Sequence, residues 1–233
     1  MLRVGLTGGL GSGKSTAARM FAAHGAHVLS SDEIGREVMQ PGQTVYSAIV
    51  AHFGKAVKLV GGGLDRAELA RIAFEEGRVE ELNAIVHPAV IARQEELTDQ
   101  IAARDVGAVV MVESALVFET KYDETKYGEA KADGGDGRRQ RFDRVILVTA
   151  PEEMKIARFV GRASRGAVLR DEDRAGLEAE ARRRLDQQIP DEKKAGWCDY
   201  VLTNGGSLKE LEWQVDQLWP ILERDARVAQ VHR

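Results

Sequence analysis

The sequence predicts an α/β fold in which helices cover a parallel β-sheet. Three observations carry this prediction: apolar runs of strand length alternate with segments of helical spacing, two of these runs lack the in-out alternation of half-exposed strands, and a glycine-rich turn directly follows the first run. Runs that are apolar throughout are typical of parallel strands with both faces covered. A glycine-rich turn between a strand and a helix is typical of α/β folds that bind phosphate.

The predicted strands are short apolar runs. They lie, in chain order, at Leu2–Leu6, Ala26–Leu29, Val109–Val112, Val145–Val148 and Tyr200–Leu202. The first leads directly into the glycine-rich turn, and the third and fourth show no alternation. We therefore expect helices on both faces of the sheet.

Helical spacing covers much of the remaining chain. The predicted helices lie at Lys14–His24, over most of Asp32–Arg104, at about Glu152–Phe159, over much of Gly161–Arg184 and at Ser207–Glu223. Asp65 and Ser207, each followed by a glutamate three residues later, are predicted N-caps. Pro88 is expected to begin the helix that runs to about Arg104, because proline suits the first helical turn.

The composition narrows the class of protein. With 233 residues, 43% of them apolar, the chain suits one substantial domain with additions or two small domains. The 33 basic and 37 acidic side chains leave a net charge of −4, which argues against a nucleic-acid coat or a binder of anionic membranes. The single cysteine, Cys198, cannot form an internal disulfide, and no run approaches the ~18 apolar residues of a membrane span. We therefore expect a cytoplasmic protein with no membrane and no nucleic-acid partner.

The segment Gly8–Ser15 matches the phosphate-binding pattern G-x-x-x-x-G-K-[ST] at every fixed position. Gly11 and Gly13 allow the backbone to curl so that successive N–H groups point at phosphate oxygens, and the dipole of the following helix adds to them. Lys14 can reach the β- and γ-phosphates of a bound nucleotide, and the Ser15 hydroxyl can ligate Mg²⁺. The predicted nucleotide-binding residues of this loop are Gly9, Gly11, Ser12, Gly13, Lys14, Ser15 and Thr16.

Two short matches raise the alternative of a GTPase switch. Asp32–Gly35 fits D-x-x-G, and Thr120–Asp123 loosely fits the guanine-reading pattern [NT]-K-x-D. Only 17 residues separate Lys14 from Asp32, which leaves room for one helix and one strand but not for a further strand and a switch loop. The second match lies within Lys121–Arg141, where four glycines among mixed charges indicate a mobile surface insertion. The spacing argues against a switch.

Asp32 is a candidate general base. It follows the second predicted strand by a few residues, and ligands of open α/β sheets bind at the carboxyl ends of the strands. Because consecutive strands are commonly neighbours, we expect the second strand beside the first and Asp32 facing the phosphate loop. A carboxylate there could accept the proton of an attacking hydroxyl. The alternative is a plain helix N-cap, and the spacing leaves both open.

Further motifs occur together in the order found in one enzyme family. They are Gly5–Thr16, Ile34–Val38 with Pro41 and Gly42, His52–Gly54, Leu64–Arg66 with Leu69, Ile85–Pro88, Leu116–Glu119, Gln188, Lys194, Asp199–Leu202 and Asn204. From about residue 3 to about residue 220 the chain resembles the dephospho-CoA kinases. The resemblance implies a three-layer P-loop kinase fold that uses ATP and Mg²⁺. It also implies transfer of the γ-phosphoryl group to the ribose 3′-hydroxyl of a small-molecule substrate, dephospho-CoA.

The resemblance assigns three catalytic residues, Lys14, Asp32 and Arg162. Asp32 corresponds to the family's presumed base, whereas Ser30 stands where the family carries another aspartate. Arg162 corresponds to a lid arginine, although the alternating acids of its arginine-rich segment equally fit a solvated, salt-bridged helix. Glu113 ends an apolar strand, where it could meet Mg²⁺ through water or simply be solvated.

The resemblance also assigns binding residues. Asn204 lies in a turn that the family places near the adenine of ATP. Thr7, Asp32, Arg66 and His87 are expected in the substrate site. These assignments follow from the family pattern and not from spacing.

The resemblance implies three parts and leaves two alternatives. A P-loop core would comprise 1–32, 108–157 and 191–233, with a helical acceptor-binding insertion at 33–107 and an arginine-rich lid at 158–190. The alternatives are another small-molecule or nucleotide kinase of the same fold and a non-enzymatic nucleotide-dependent switch. We expect a monomer or a weak homo-oligomer.

Overall fold

The computed structural model describes residues 1–118 and 141–231. Five strands form its sheet: β1 (Leu2–Thr7), β2 (His27–Ser30), β3 (Val109–Glu113), β4 (Arg144–Thr149) and β5 (Tyr200–Thr203). β1 pairs in parallel with β3 and β4, and β4 pairs in parallel with β5. The predicted α/β fold with a parallel sheet is confirmed. Most of the predicted polar insertion, together with the Thr120–Asp123 match, lies outside the described residues.

The order of strands in the sheet differs from the prediction. It runs β2-β3-β1-β4-β5, so the second strand borders the third and not the first. The reason lies in burial: β3 is buried over its first four residues, as an interior strand must be, whereas β2 carries an exposed His27 and only half-buried side chains. A short strand with polar ends suits the edge of a sheet. The expectation that strand two adjoins strand one was therefore wrong.

The helices occupy the connections between the strands. They are α1 (Lys14–His24), α2 (Ser31–Val38), α3 (Thr44–Phe53), a 3₁₀ turn (Lys55–Val57), α4 (Arg66–Phe74), α5 (Val79–Arg104), α6 (Glu152–Ala163), α7 (Asp171–Asp186), α8 (Asp191–Ala195) and α9 (Leu208–Val231). No helix among the described residues combines the length and apolar character needed to cross a membrane.

Two predicted N-caps are confirmed, and one predicted helix start is wrong. The Asp65 carboxylate accepts the N–H groups of Ala67 and Glu68 at the start of α4. The Ser207 hydroxyl likewise accepts an N–H at the start of α9. Pro88, however, lies inside α5, which begins at Val79. A proline there removes one intrahelical hydrogen bond, but the apolar residues around it pack on a buried cluster that holds the helix together.

The chain divides into two compact units, each with its own core. The first comprises Met1–Val28 and Ile101–Arg233, and the second comprises Leu29–Gln100. The core of the first unit joins the sheet to α1 and α9; its fully buried members include Leu6, Phe21, Met111, Ile146, Leu211 and Leu222. The core of the second unit joins α3, α4 and α5; its buried members are Val45, Ile49, Phe53, Val57, Leu69 and Ile72. The three-part division into core, insertion and lid stays a prediction.

The predicted lid segment consists of two packed helices. Ile156 and Val160 of α6 meet Ala181 of α7 in a small apolar cluster. The two helices are joined by a loop in which Arg165 and Gly166 have positive φ angles of 51° and 81°. The arginine-rich segment is therefore helical on both sides of a tight turn.

Candidate active site

The glycine-rich loop lies between the central strand β1 and the N-terminus of α1. Gly11 and Gly13 have φ angles of 70° and 93°, in the left-handed region that favours glycine, and Gly13 is the N-cap of α1. The first turn of α1 carries no acidic side chain of its own. Backbone N–H groups at such a terminus bind phosphate oxygens.

Close packing also requires glycine at these two positions. A Cβ atom on Gly13 would clash with the side-chain amide of Asn204, and one on Gly11 would clash with the backbone carbonyl of Lys155. Even an alanine would therefore displace the loop from its support.

Asn204 holds the loop from the end of β5. Its buried side-chain amide donates to the Ser12 carbonyl oxygen at 2.9 Å. Arg158 of α6 completes the arrangement, because its guanidinium donates to the Asn204 carbonyl oxygen at 3.0 Å and to that of Gly11 at 3.3 Å. These contacts fix the curl of the loop. The place of Asn204 near the adenine of ATP stays a prediction.

The sequence did not predict that Arg158 contacts the phosphate loop. Its contacts with Gly11 and Ser12 span almost 150 residues of chain. The only signal in the sequence was its place at the start of an arginine-rich segment, which does not indicate which arginine meets the loop.

Ser15 and Glu113 form a pair of oxygen ligands beside the loop. The Ser15 hydroxyl donates to the Glu113 carboxylate at 2.5 Å, which joins α1 to the end of β3. Both are hard oxygen donors, and Mg²⁺ takes one or two such protein ligands and completes its shell with water and phosphate. No cluster of three or more His, Cys, Asp or Glu side chains that could hold a metal occurs among the described residues. The pair therefore fits Mg²⁺ held jointly with a bound phosphate.

The remaining loop residues occupy distinct environments. Lys14 is the first residue of α1 and is half-buried, and Thr16 is also half-buried. Ser12 and Thr7 are fully buried, and among the described residues their hydroxyl groups have no hydrogen-bond partner. Gly9 is buried against the segment that precedes α8. The structure thus gathers all predicted nucleotide-binding residues of the loop, with Asn204, at one place.

Asp32 belongs to the second compact unit and is not a helix cap. The N-cap of α2 is Ser30, whose hydroxyl accepts the N–H of Glu33 at 3.4 Å. Asp32 lies in the first turn with an exposed side chain, and its carboxylate makes no hydrogen bond or ion pair with the described residues. The alternative reading of Asp32 as an N-cap was wrong.

Two of the other predicted substrate residues, His87 and Arg66, lie in the same unit as Asp32, whereas Thr7 lies in the unit that contains the loop. Burial lowers the pKa of His87 below its ordinary value, and the nearby Glu80 carboxylate opposes this shift. The imidazole is therefore neutral at pH 7. Arg66 is the first residue of α4 and its side chain is exposed.

The arginines of the lid segment differ in the partners that they contact. Arg170, Arg183 and Arg184 are exposed and form ion pairs with acids of their own segment, which fits the salt-bridged helix. Arg162 lies in the last turn of α6 and is exposed, with no ion pair to the described residues. It is therefore available to a ligand, whereas the paired arginines are engaged.

The loop defines the class of the protein. The loop follows the central strand of a parallel sheet and contains two glycines in the left-handed region. It places a lysine at a helix N-terminus and a serine beside a carboxylate at the end of a strand. These are the features of a P-loop nucleotide-binding protein. The profile of the family described as dephospho-CoA kinase matches residues 2–128. A dephospho-CoA kinase from Thermobifida fusca is 37% identical over 225 residues, which cover 96% of this chain and 98% of that protein. The chain belongs to the dephospho-CoA kinase family.

Solved structures share the fold of this chain. A protein from Thermus thermophilus with 29% identity superimposes with a TM-score of 0.66, covering 95% of this chain and 97% of that one. A dephospho-CoA kinase from Campylobacter jejuni, 21% identical, shares the fold with a TM-score of 0.56 and coverage of 94% and 96%.

Proposed function

We propose that this protein is an ATP-dependent kinase that phosphorylates the ribose 3′-hydroxyl of dephospho-CoA in the last step of coenzyme A biosynthesis. The observation that carries the proposal is the complete phosphate loop, supported from behind by Asn204 and Arg158, in a chain of this family. A loop of this form holds the β- and γ-phosphates of a nucleotide. The similarity to dephospho-CoA kinases along almost the whole chain supports the identity of the acceptor.

We assign the chemistry of transfer to three residues. Asp32 accepts the proton of the 3′-hydroxyl as that oxygen bonds to the γ-phosphorus, and the bond from the γ-phosphorus to the β–γ bridging oxygen breaks to release ADP. Lys14 and Arg162 balance the negative charge on the transferring group. Because Asp32 is exposed and does not cap its helix, its carboxylate is available for this role.

We assign Mg²⁺ to Ser15, with Glu113 accepting a hydrogen bond from the hydroxyl or from a bound water. When bound, the ion neutralises charge on the β- and γ-phosphates. The 2.5 Å contact between Ser15 and Glu113 supports this assignment. Asn204 is assigned to the adenine end of ATP, and Thr7, Arg66 and His87 to the acceptor site. The cytoplasmic location, the absence of a nucleic-acid partner and the monomeric or weakly oligomeric state stay predictions.

An acceptor panel tests the proposal. ADP release is measured with ATP, Mg²⁺ and dephospho-CoA, and compared with adenosine, AMP and pantothenate as acceptors. We expect turnover with dephospho-CoA alone and formation of CoA in equal amount to ADP. Turnover only with another acceptor would assign a different small-molecule kinase, and nucleotide binding without transfer to any acceptor would assign a switch.

A further inference from the structure

Two segments that are distant from the glycine motif in the sequence contact the start of the loop. A Cβ atom on Gly9 would lie 3.0 Å from the Gln188 side-chain oxygen, 3.5 Å from an Asp191 carboxylate oxygen and 3.8 Å from the Lys155 ammonium. The Gln188 oxygen accepts the N–H of Leu10 at 3.1 Å. The start of the loop therefore rests on α6 and on the connection that leads into α8.

A buried ion pair joins these two segments beside Gly9 of the loop. The Lys155 ammonium lies 2.5 Å from the Asp191 carboxylate, and their side chains are only 10% and 12% exposed. The same carboxylate oxygen accepts the Thr149 hydroxyl at 2.5 Å, at the end of β4. One carboxylate thus ties the sheet, α6 and the start of α8 together.

Stability alone does not explain a buried charge pair at this place. Both charges lose their hydration, and a well-packed apolar pair of similar size is often at least as stable. An ion pair with a further hydrogen bond does, however, fix the mutual geometry of its elements within narrow limits. The elements fixed here are the ones that contact Gly9, Leu10 and Gly11.

We propose that Lys155 and Asp191 are positioning residues for ATP binding, which act by holding Gln188 and the α6 backbone against the phosphate loop. Neither residue touches the substrate in this role. The inference rests on nucleotide binding by the loop, which is part of the proposed function. Loss of the pair would let the loop amides drift from the positions that receive phosphate oxygens.

The test separates positioning from stability with three variants. Lys155→Met leaves the Asp191 charge buried and unpaired, so it should lower the melting temperature. Lys155→Met/Asp191→Asn removes both charges and keeps an oxygen for the Thr149 hydroxyl, so the melting temperature should recover most of the loss. Asp191→Asn alone keeps the shape of the site but leaves the buried Lys155 charge without its partner, so it should also lower the melting temperature.

If the pair positions the loop, the double variant keeps its defect in nucleotide binding although its stability has recovered. We expect the KM for ATP and the directly measured Kd for an ATP analogue to rise about tenfold or more, because small displacements of a binding group have large effects. The KM for dephospho-CoA should change much less. A double variant with wild-type KM and Kd for the nucleotide would overturn the proposal and leave the pair a purely structural feature.

A second measurement applies if the double variant does not fold well. In Asp191→Asn without ligand, amide hydrogen exchange at the loop should be faster than in the wild type, and unchanged exchange would overturn the proposal. Arg144→Met is the matched control. Arg144 begins β4, at the end of the strand opposite to Thr149, and this substitution breaks its 2.7 Å ion pair with the largely buried Asp225 of α9. It should lower stability without raising the KM for ATP. A wild-type protein that binds the nucleotide but transfers nothing would contradict the proposed function and leave this test intact.

Discussion

At the scale of single residues, the site depends on a few atoms whose surroundings define their roles. Gly13 is required because Asn204 fills the place that a side chain would take. Ser30 caps α2, and this leaves the Asp32 carboxylate without a structural task among the described residues. A residue with no structural contact suits kinetic tests, because its substitution should change the rate of the reaction more than the stability of the fold.

Asp32→Asn should lower kcat by roughly 10²–10⁴-fold, the usual contribution of a positioned general base. Stability and the Kd for ATP should change little, because Ser30 caps the helix and the loop holds the phosphates. Steady-state kinetics with saturating ATP and dephospho-CoA provide the measurement. Glu33→Gln, another exposed acid of the same helical turn, is the control and should keep wild-type turnover. An Asp32→Asn enzyme within about threefold of wild type, a barrier change under ~1 kcal/mol, would exclude the base role.

Lys14→Ala should lose most of the transfer activity, by about 10²-fold or more, because the lysine balances charge that grows on the phosphoryl group. The protein should stay folded, since alanine is a good helix former at the first position of α1. Single-turnover measurements at high ATP separate the chemical step from binding. Lys209→Ala, an exposed lysine near the start of α9, should be silent. Equal losses in both variants would remove Lys14 from the mechanism.

At the scale of elements, the sequence predicted what is local and missed what is distant. The apolar runs located the five strands of the described residues, and the two N-caps at Asp65 and Ser207 were found because a cap depends on neighbours three residues away. The strand order was wrong because it depends on which strand is buried between two others. Pro88 misplaced the start of α5, since tertiary packing outweighed the local preference of proline.

The same limit applies to the candidate site. The glycine pattern located the loop, but its supports come from residues 146 to 192 positions away in the chain, and no local pattern identifies them. Asn204 was found only through the resemblance to a family, and Lys155 was not singled out at all. Contacts between distant segments depend on the fold, so they can be identified only once the fold is known.

Ser30→Ala should destabilise the protein by about 0.5–2 kcal/mol, because the first turn of α2 loses its cap. Urea unfolding followed by circular dichroism measures the change. Ser47→Ala is the matched control: this serine lies exposed inside α3, where alanine is the better helix former, so stability should stay the same or rise slightly. The kcat should survive in both. Unchanged stability in Ser30→Ala would mean that solvent replaces the cap at no cost.

The lowered pKa of His87 predicts a pH dependence for the unit that contains α5. As pH falls below about 6.5, the histidine of the unfolded chain takes up a proton while the half-buried imidazole of the folded chain still resists protonation. Stability is therefore fully present above about pH 6.5 and declines as pH falls towards the lower pKa of the folded state. Denaturant unfolding at several pH values between 5 and 8 should show this decline, and His87→Gln should flatten it. A slope that stayed unchanged in His87→Gln would contradict this assignment.

At the scale of the whole molecule, the two compact units have separate cores, and each contains residues assigned in the proposed function. The loop, Glu113, Asn204 and Thr7 lie in one unit, and Asp32, Arg66 and His87 lie in the other. The residues assigned to ATP therefore lie in one unit, whereas most of those assigned to the acceptor lie in the other. Ligand-linked unfolding can separate these sets, because a ligand that binds only the folded state stabilises it in proportion to its affinity.

ATP with Mg²⁺ at a hundred times its Kd should add about 2.7 kcal/mol to the stability of the unit that contains the loop. For a protein of this size that corresponds to a rise in melting temperature of roughly 5–10 °C. Ser15→Ala should reduce the shift obtained with Mg²⁺ towards the smaller one obtained with EDTA, because the hydroxyl beside Glu113 is the assigned ligand of the ion. The shift produced by dephospho-CoA alone should be the same in Ser15→Ala as in the wild type, since Ser15 is not among the residues assigned to the acceptor, which are Thr7, Asp32, Arg66 and His87. Thermal unfolding with each ligand in turn measures all of these shifts. If Ser15→Ala kept the full Mg²⁺-dependent shift, the ion would have to be held elsewhere, and the pairing of Ser15 with Glu113 would be only a contact between α1 and β3.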